Sequence, residues 1–128
     1  MTTAYADASA IVKLVVEERE SAACAHFLAE FDEVVTSRLG LVETARAVAR
    51  WGGPPESIDA VGETLGVIEL GADIAATAGL LSPPSLRTLD ALHLASALAL
   101  YHLDAFVTYD ERLGAAARAA GLPVASPR

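Results

Sequence analysis

Four acidic residues stand out in this 128-residue chain because their neighbours are so apolar. Two like charges about 4 Å apart repel by roughly 4 kcal/mol at an effective dielectric constant of about 20. Carboxylates that converge therefore need raised pKa values or a bound cation. Oxygen ligands alone suit Mg²⁺ or Mn²⁺, and such ions can activate water to hydrolyse a phosphodiester. The four residues are Asp7, Glu43, Asp90 and Asp110.

Other kinds of site have weak support in the sequence. The single cysteine, Cys24, cannot form an internal disulfide and is predicted to be a buried apolar residue. No cysteine pair and no histidine pair has zinc-ligand spacing. His93 follows Asp90 by three residues, but a single pair of this kind is a poor sign of a ligand. We interpret His93 as a packing or surface residue.

Short apolar runs that are typical of strands alternate with longer runs that are typical of helices. Strands joined through helices pair in parallel by right-handed crossovers. We therefore predict an α/β fold, a three-layer α/β/α sandwich with a central, mainly parallel sheet, formed by a single domain over residues 1–128. The predicted strands are 3–6, 34–36, 67–70, 105–108 and 123–125, and the predicted helices are 8–17, 20–31, 39–51, 56–65, 72–81, 88–103 and 111–120.

This architecture gives the acids a common place. Ligands of open parallel sheets bind beyond the carboxyl ends of the strands. Asp7 directly follows the first strand and Asp110 lies just past the fourth, so both belong to one edge of the sheet. Asp90, in the first turn of the long helix, and Glu43, one turn into the helix after the second strand, can lean over that edge.

Each acid also has an ordinary structural explanation. Asp7 and Asp110 could cap the helices that follow them. Asp90 could favour the positive end of its helix dipole, and Glu43 could pair with Arg46 on the helix surface. These explanations stay open for each residue alone, whereas the apolar flanks of the whole set favour a shared site.

Three motifs resemble those of PIN-domain proteins, specifically the VapC-type toxins. They read YADASAIVKL at 5–14, LRTLDALHLA at 86–95 and FVTYDERL at 106–113. Glu43 stands at the position of the family's glutamate, in a weaker motif. The resemblance covers nearly the whole chain in order and spacing.

The resemblance implies a flavodoxin-like strand arrangement in which the first and fourth strands are neighbours. It also implies an endoribonuclease toxin that uses one or two Mg²⁺ or Mn²⁺ ions and is inhibited by a VapB-type antitoxin. A homodimer and a toxin–antitoxin hetero-oligomer are expected on the same basis. Carried over residue by residue, Asp7, Glu43, Asp90 and Asp110 would be catalytic. Asp7 and Asp90 would be direct metal ligands, and Asp110 would hold a metal or its water. Glu43 would orient or deprotonate water.

Further residues are candidates for supporting roles. Ser9 and Thr108 are predicted hydroxyl partners of the metal-binding acids. Arg46 and Arg50 share a helix face with Glu43, either to flank RNA or to form surface ion pairs. Arg87 could neutralise acidic charge, touch a phosphate or lie on a loop. The candidate RNA contacts are Lys13, Arg46, Arg50 and Arg87.

The net charge of −8 counts against a protein that attracts nucleic acid by its overall field. We therefore expect weak long-range attraction for RNA and a shallow salt dependence of binding. The N-terminus lacks the positive and apolar regions of a signal peptide, and no run is long enough to span a membrane, so we expect a cytoplasmic protein.

Two other functions are compatible with the sequence. One is a PIN-like scaffold that binds RNA or a protein without cutting, although such a binder would have no reason to keep four mutually repelling acids. The other is a phosphohydrolase similar to the haloacid dehalogenases, which also place an aspartate after the first strand. The second aspartate of that family would fall at Ser9, which weakens the comparison.

Overall fold

The computed structural model describes residues 1–128 and contains a five-stranded parallel sheet with seven helices. The predicted fold class and the type of every predicted element are confirmed. In chain order the elements are β1 (Thr3–Ala6), α1 (Ala8–Val15), α2 (Ser21–Leu28), β2 (Glu33–Ser37), α3 (Arg38–Arg50), α4 (Glu56–Gly62), β3 (Gly66–Ile68), α5 (Ala72–Leu80), α6 (Thr88–Leu98), β4 (Ala105–Val107), α7 (Glu111–Ala119) and β5 (Val124–Ala125).

The strand order is β3-β2-β1-β4-β5, so β1 and β4 are neighbours, as expected. The chain moves outward in one direction from β1 to β3 and then crosses over to build β4 and β5 on the other side. The order therefore reverses between β1 and β4. In open α/β sheets this reversal leaves a crevice beyond the carboxyl ends of the two strands, where ligands bind.

Alternate residues of the central strands pack into two apolar cores, one on each face of the sheet. Ala4 and Ala6 of β1 pack with residues of α1 and α2. Tyr5, between them, packs on the opposite face with α6 and α7, and its ring stacks on that of Phe106 at a centroid distance of 5.2 Å. The period-two alternation of a strand thus produces the layers on both faces of the sheet.

The largest difference from the predicted boundaries is the end of α6, which stops at Leu98 rather than at residue 103. The residues that follow must bring the chain to the start of β1. There the Thr3 N–H donates to Asp104 Oδ2 and the Asp104 N–H donates to the Thr3 carbonyl, both at 2.8 Å. Tertiary hydrogen bonds therefore override an apolar pattern that would continue the helix. No helix of the structure has both the length and the apolar character needed to cross a bilayer.

Candidate active site

A pocket of about 360 Å³ lies beyond the carboxyl ends of β1 and β4 and brings together all four predicted acids. They reach it from four different parts of the chain: the end of β1, α3, α6 and the loop between β4 and α7. The pocket is lined by Asp7, Ala8, Ser9, Glu43, Arg87, Thr88, Leu89, Asp90, His93 and Asp110.

Asp7 lies at the base of this pocket and is only 3% exposed. Its Oδ1 accepts hydrogen bonds from Ser9 Oγ at 2.6 Å and from the Ala10 N–H at 3.0 Å, which makes it the N-cap of α1. Its Oδ2 accepts from Thr108 Oγ1 at 2.6 Å. Burial raises the pKa of Asp7, although these hydrogen bonds act in the opposite direction. Asp7 therefore serves as a helix cap and also presents a carboxylate that would gain from a nearby cation.

The two hydroxyls that contact Asp7 also tie it to the loop after β4. Ser9 Oγ accepts from the Tyr109 N–H at 2.8 Å, and Thr108 Oγ1 accepts from the Asp110 N–H at 3.0 Å. Ser9 and Thr108 thus lie beside the first acid, as predicted from the sequence. Since both hydroxyls are engaged on two sides, the Asp7 carboxylate has little freedom to rotate.

Asp90 and Asp110 face each other across the guanidinium of Arg87. Arg87 donates from Nε to Asp90 Oδ2 at 2.9 Å and from Nη2 to Asp110 Oδ2 at 2.6 Å. Asp110 also caps α7, because its Oδ1 accepts from the N–H groups of Arg112 and Leu113. Burial acts to raise the pKa of Asp110, but these backbone hydrogen bonds and the Arg87 charge outweigh it, so the pKa is lowered.

Glu43 is held by His93 and not by Arg46, the partner that helical spacing suggested. His93 Nε2 lies 2.5 Å from Glu43 Oε1, and His93 Nδ1 lies 2.7 Å from Tyr5 Oη. His93 is 2% exposed, which agrees with its interpretation as a packing residue. That interpretation did not include its contact with Glu43, an acid of the pocket. The sequence carried a signal: residues three apart on a helix share a face, and Asp90 was already predicted to face the site.

Of the basic residues predicted to contact RNA, Arg87 alone lines the pocket. Lys13 is nearly buried, pairs with Glu20 at 3.1 Å and lies over the ring of Tyr109. It lies roughly 7.5 Å along the helix axis from the start of α1 and is not among the residues that line the pocket. Arg46 and Arg50 are exposed on α3 outside the pocket.

One arginine near the site was not predicted from the sequence. Arg112, at the start of α7, shares a neighbouring groove of about 440 Å³ with Arg87 and Asp90. This groove joins the acidic pocket through those two shared residues and has several alanine side chains in its wall. Its only sequence signal was a charge two residues after a predicted site acid.

The donor set of the pocket fits a hard divalent ion, and the side chains are arranged around a different cation. No group of three or more histidine, cysteine, aspartate or glutamate side chains is arranged to hold an ion as it stands. The reason is visible in the contacts of Arg87, whose guanidinium supplies the positive charge between Asp90 and Asp110. All the acidic side chains supply oxygen ligands, which are those that Mg²⁺ and Mn²⁺ prefer.

Comparison with known proteins gives a consistent result. The family model of the PIN domain matches residues 4–119. The chain is 38% identical over 130 residues to "Ribonuclease VapC47" of Mycobacterium tuberculosis, with 96% of both chains covered. Its fold is similar to the crystal structure of Mycobacterium tuberculosis VapC20, described as a sarcin–ricin loop cleaving toxin (TM-score 0.75, 18% identity, 97% and 99% of the two chains covered). It is also similar to a chain of a toxin–antitoxin complex from Klebsiella pneumoniae (TM-score 0.73, 23% identity, 98% of each chain covered).

Proposed function

Since this chain belongs to the PIN-domain family, among the VapC-type ribonuclease toxins, we propose that it is a divalent-metal-dependent endoribonuclease. The observation that carries the proposal is the convergence of four carboxylates, from four separate elements, on one pocket at the point where the strand order reverses. Asp7, Asp90 and Asp110 would hold one or two Mg²⁺ or Mn²⁺ ions. When bound, such an ion would supply an activated water and offset the charge that develops on the phosphate.

The chain's own residues divide the remaining work. Ser9 and Thr108 fix the Asp7 carboxylate so that its orientation does not depend on the ion. Glu43, held at Oε1 by His93, is placed to orient a water or accept its proton. Arg87, once released from Asp90 and Asp110, is the pocket's cationic contact for a phosphate.

The direct experiment is RNA cleavage with and without Mn²⁺ or Mg²⁺. We expect the wild-type chain to cut RNA with the metal and to lose at least about 100-fold in rate in the variants Asp7→Asn and Asp90→Asn. Asp73→Asn, an exposed acid in the first turn of α5, removes the same charge away from the pocket and should retain full activity. Metal-independent cleavage, or unchanged cleavage in both pocket variants, would rule the proposal out.

One observation favours a second candidate, a PIN-like scaffold without catalysis. Arg87 already neutralises two of the four acids, so the pocket has a cation of its own. A scaffold should bind no ion at these carboxylates, whereas the nuclease should. Isothermal titration of the metal-free protein with Mn²⁺ separates the two, with Asp7→Asn as the variant in which binding heat should disappear.

The partner we propose is a VapB-type antitoxin, within a toxin–antitoxin hetero-oligomer, alongside a homodimer of this chain. The support is the family together with the similarity to a toxin–antitoxin complex. The acidic pocket adds a chemical argument, because a basic antitoxin residue inserted there would compete with Arg87 for Asp90 and Asp110. We also propose that residues 1–128 act as one domain and that the protein works in the cytoplasm. Co-expression of the chain with the product of any small reading frame adjacent to its gene, followed by co-purification, tests the pairing.

A further inference from the structure

A buried chain of hydrogen bonds runs from the sheet to the acidic pocket and has no part in the metal-binding set. It begins at Tyr5 in the middle of β1, passes through His93 on α6 and ends at Glu43 on α3. Tyr5 is fully buried and His93 nearly so, whereas Glu43 is partly exposed at the pocket wall. Three elements that are distant in sequence thus meet through two short contacts.

The chemistry of the end group fixes the direction of this chain. An ionised carboxylate can only accept hydrogen bonds, so His93 Nε2 must carry a proton that it donates to Glu43 Oε1. In the neutral imidazole Nδ1 then has a free lone pair, which accepts the O–H of Tyr5. Every donor in the chain has an acceptor in this arrangement, and a neutral His93 with its proton on Nδ1 would leave Nε2 facing Glu43 with no proton to donate.

Packing holds the imidazole in place. The Tyr5 ring meets the His93 ring edge-on, with centroids 5.9 Å apart and planes at 78°. The α3 backbone approaches the ring at Gly40, where a Cβ would lie 3.4 Å from His93 Cε1 and would collide with Thr36 Oγ1. These contacts and an exposure of only 2% restrict the movement of the ring away from Glu43.

We propose that His93, oriented by Tyr5, is a positioning residue that aims the Glu43 carboxylate into the pocket. His93 occupies Oε1, and no other side-chain hydrogen bond involves Glu43, so Oε2 is left as the acceptor for a water. Without His93 the three side-chain torsions of Glu43 would be free, and the time spent in the productive orientation would fall. This inference rests on the proposed ribonuclease function.

The kinetic test is a double-mutant cycle between His93 and Glu43 on cleavage of a mixed-sequence single-stranded RNA with Mn²⁺. We expect Glu43→Gln to lower the rate at saturating RNA by about 100-fold and His93→Leu by roughly tenfold, with the half-saturating RNA concentration unchanged. The effect of His93→Leu should vanish in the Glu43→Gln background, because the two residues act as one unit. His93→Gln, which keeps an amide donor near the Nε2 position, should recover most of the rate. Additive losses in the cycle, or no recovery in His93→Gln, would overturn the proposal.

A second measurement does not depend on catalysis. Nitrogen-15 NMR of the metal-free wild-type protein should show His93 as the Nε2–H tautomer with a slowly exchanging proton, and Glu43→Ala should speed that exchange. Tyr5→Phe keeps the stacked ring and the fold and should weaken the tautomer preference, which covers the case in which His93→Leu fails to fold. An Nδ1–H tautomer, or exchange that is indifferent to Glu43, would refute the positioning role. Absence of RNA cleavage by the wild-type chain would instead refute the proposed function, while the NMR result would still decide whether His93 holds Glu43.

Discussion

Replacing the most buried acid of the pocket should make the metal-free protein more stable. Asp7 is 3% exposed and its pKa is raised by burial, which means that the fold favours the neutral form of this side chain. An asparagine at this position would have nearly the same shape without the charge. It could still accept from Ser9 and the Ala10 N–H through its carbonyl oxygen. We therefore predict that Asp7→Asn raises the free energy of unfolding in the absence of divalent ions.

The magnitude follows from two opposing contributions. Each unit by which burial raises a carboxyl pKa corresponds to about 1.4 kcal/mol of lost stability above that pKa. Against this, the Thr108 hydroxyl would face an amide N–H₂ in place of Oδ2 and would lose its acceptor, at a cost of about 1 kcal/mol. Asp7→Asn gains stability where the first contribution exceeds the second, and each kcal/mol of net gain corresponds to a rise in Tm of about 3–5 °C for a chain of this size.

The dependence on pH has a definite sign. Because the folded-state pKa of Asp7 is raised, its contribution to stability is fully present below the unfolded-state pKa of about 3.9. That contribution is lost as the pH rises through the folded-state pKa. The advantage of Asp7→Asn over the wild type should therefore be absent below about pH 4 and reach its full size above the folded-state pKa. The lowered pKa of Asp110 acts in the opposite direction, but both proteins contain it, and it cancels in the difference.

The assay is urea or thermal unfolding with EDTA at several pH values, followed by the same measurements with Mn²⁺. Asp73→Asn is the matched control, because it removes one charge at an exposed position of α5 and should change stability by less than about 0.5 kcal/mol. Mn²⁺ at about 100 times its Kd should stabilise the wild type by about 2.7 kcal/mol and Asp7→Asn by much less, which reduces or reverses the difference between them. A metal-free Asp7→Asn protein that is less stable than the wild type at pH 7 would show that the hydrogen bonds to Asp7 outweigh its burial, and the reasoning would fail.

Three further predictions concern the surroundings of the site. Arg87→Gln should tighten Mn²⁺ binding about three- to tenfold in calorimetry, since the guanidinium competes with the ion for Asp90 and Asp110. Weaker binding in this variant would mean that Arg87 orders the two acids for the ion. Gly40→Ala should lower the free energy of unfolding by about 1–3 kcal/mol in urea, because its Cβ collides with Thr36, whereas Gly62→Ala, with open space around it, should not. A plot of the logarithm of RNA affinity against the logarithm of salt concentration should have a slope shallower than about −2, because a chain of net charge −8 contacts few phosphates. A steep slope would indicate a basic RNA-binding surface.

Much of the fold could be predicted because its pattern is repeated locally. Each strand is a short apolar run and each helix a longer one, so the types of all twelve elements follow from periodicity. The end of α6 could not be predicted in this way. It depends on hydrogen bonds between Thr3 and Asp104, which are 101 residues apart in the chain.

The candidate site divides along the same line. Strand direction and helix starts were enough to predict that Asp7, Asp90 and Asp110 lie at one edge of the sheet, because backbone topology determines where their Cα atoms lie. The hydrogen-bond partners of the acidic side chains could not be predicted from the sequence. Helical spacing suggested Arg46 for Glu43, and only the packing of α6 against α3 shows that His93 takes that contact. The contacts of Lys13 with Glu20 and with the ring of Tyr109 likewise depend on packing, and its predicted RNA contact stays a prediction.

The arrangement explains how four carboxylates can share one pocket through contacts with the chain's own donors. Each acid has a local donor set of its own: hydroxyls and a backbone N–H for Asp7, the guanidinium for Asp90 and Asp110, and the imidazole for Glu43. Donors of this kind offset the repulsion and desolvation that convergence would otherwise cost. They are unequal, however, because a hydroxyl or imidazole can keep its contact when a cation arrives, whereas a guanidinium cannot share the same space. Arg87 is therefore the one partner that must move, and the affinity of the pocket for metal is set by how firmly Asp90 and Asp110 hold it.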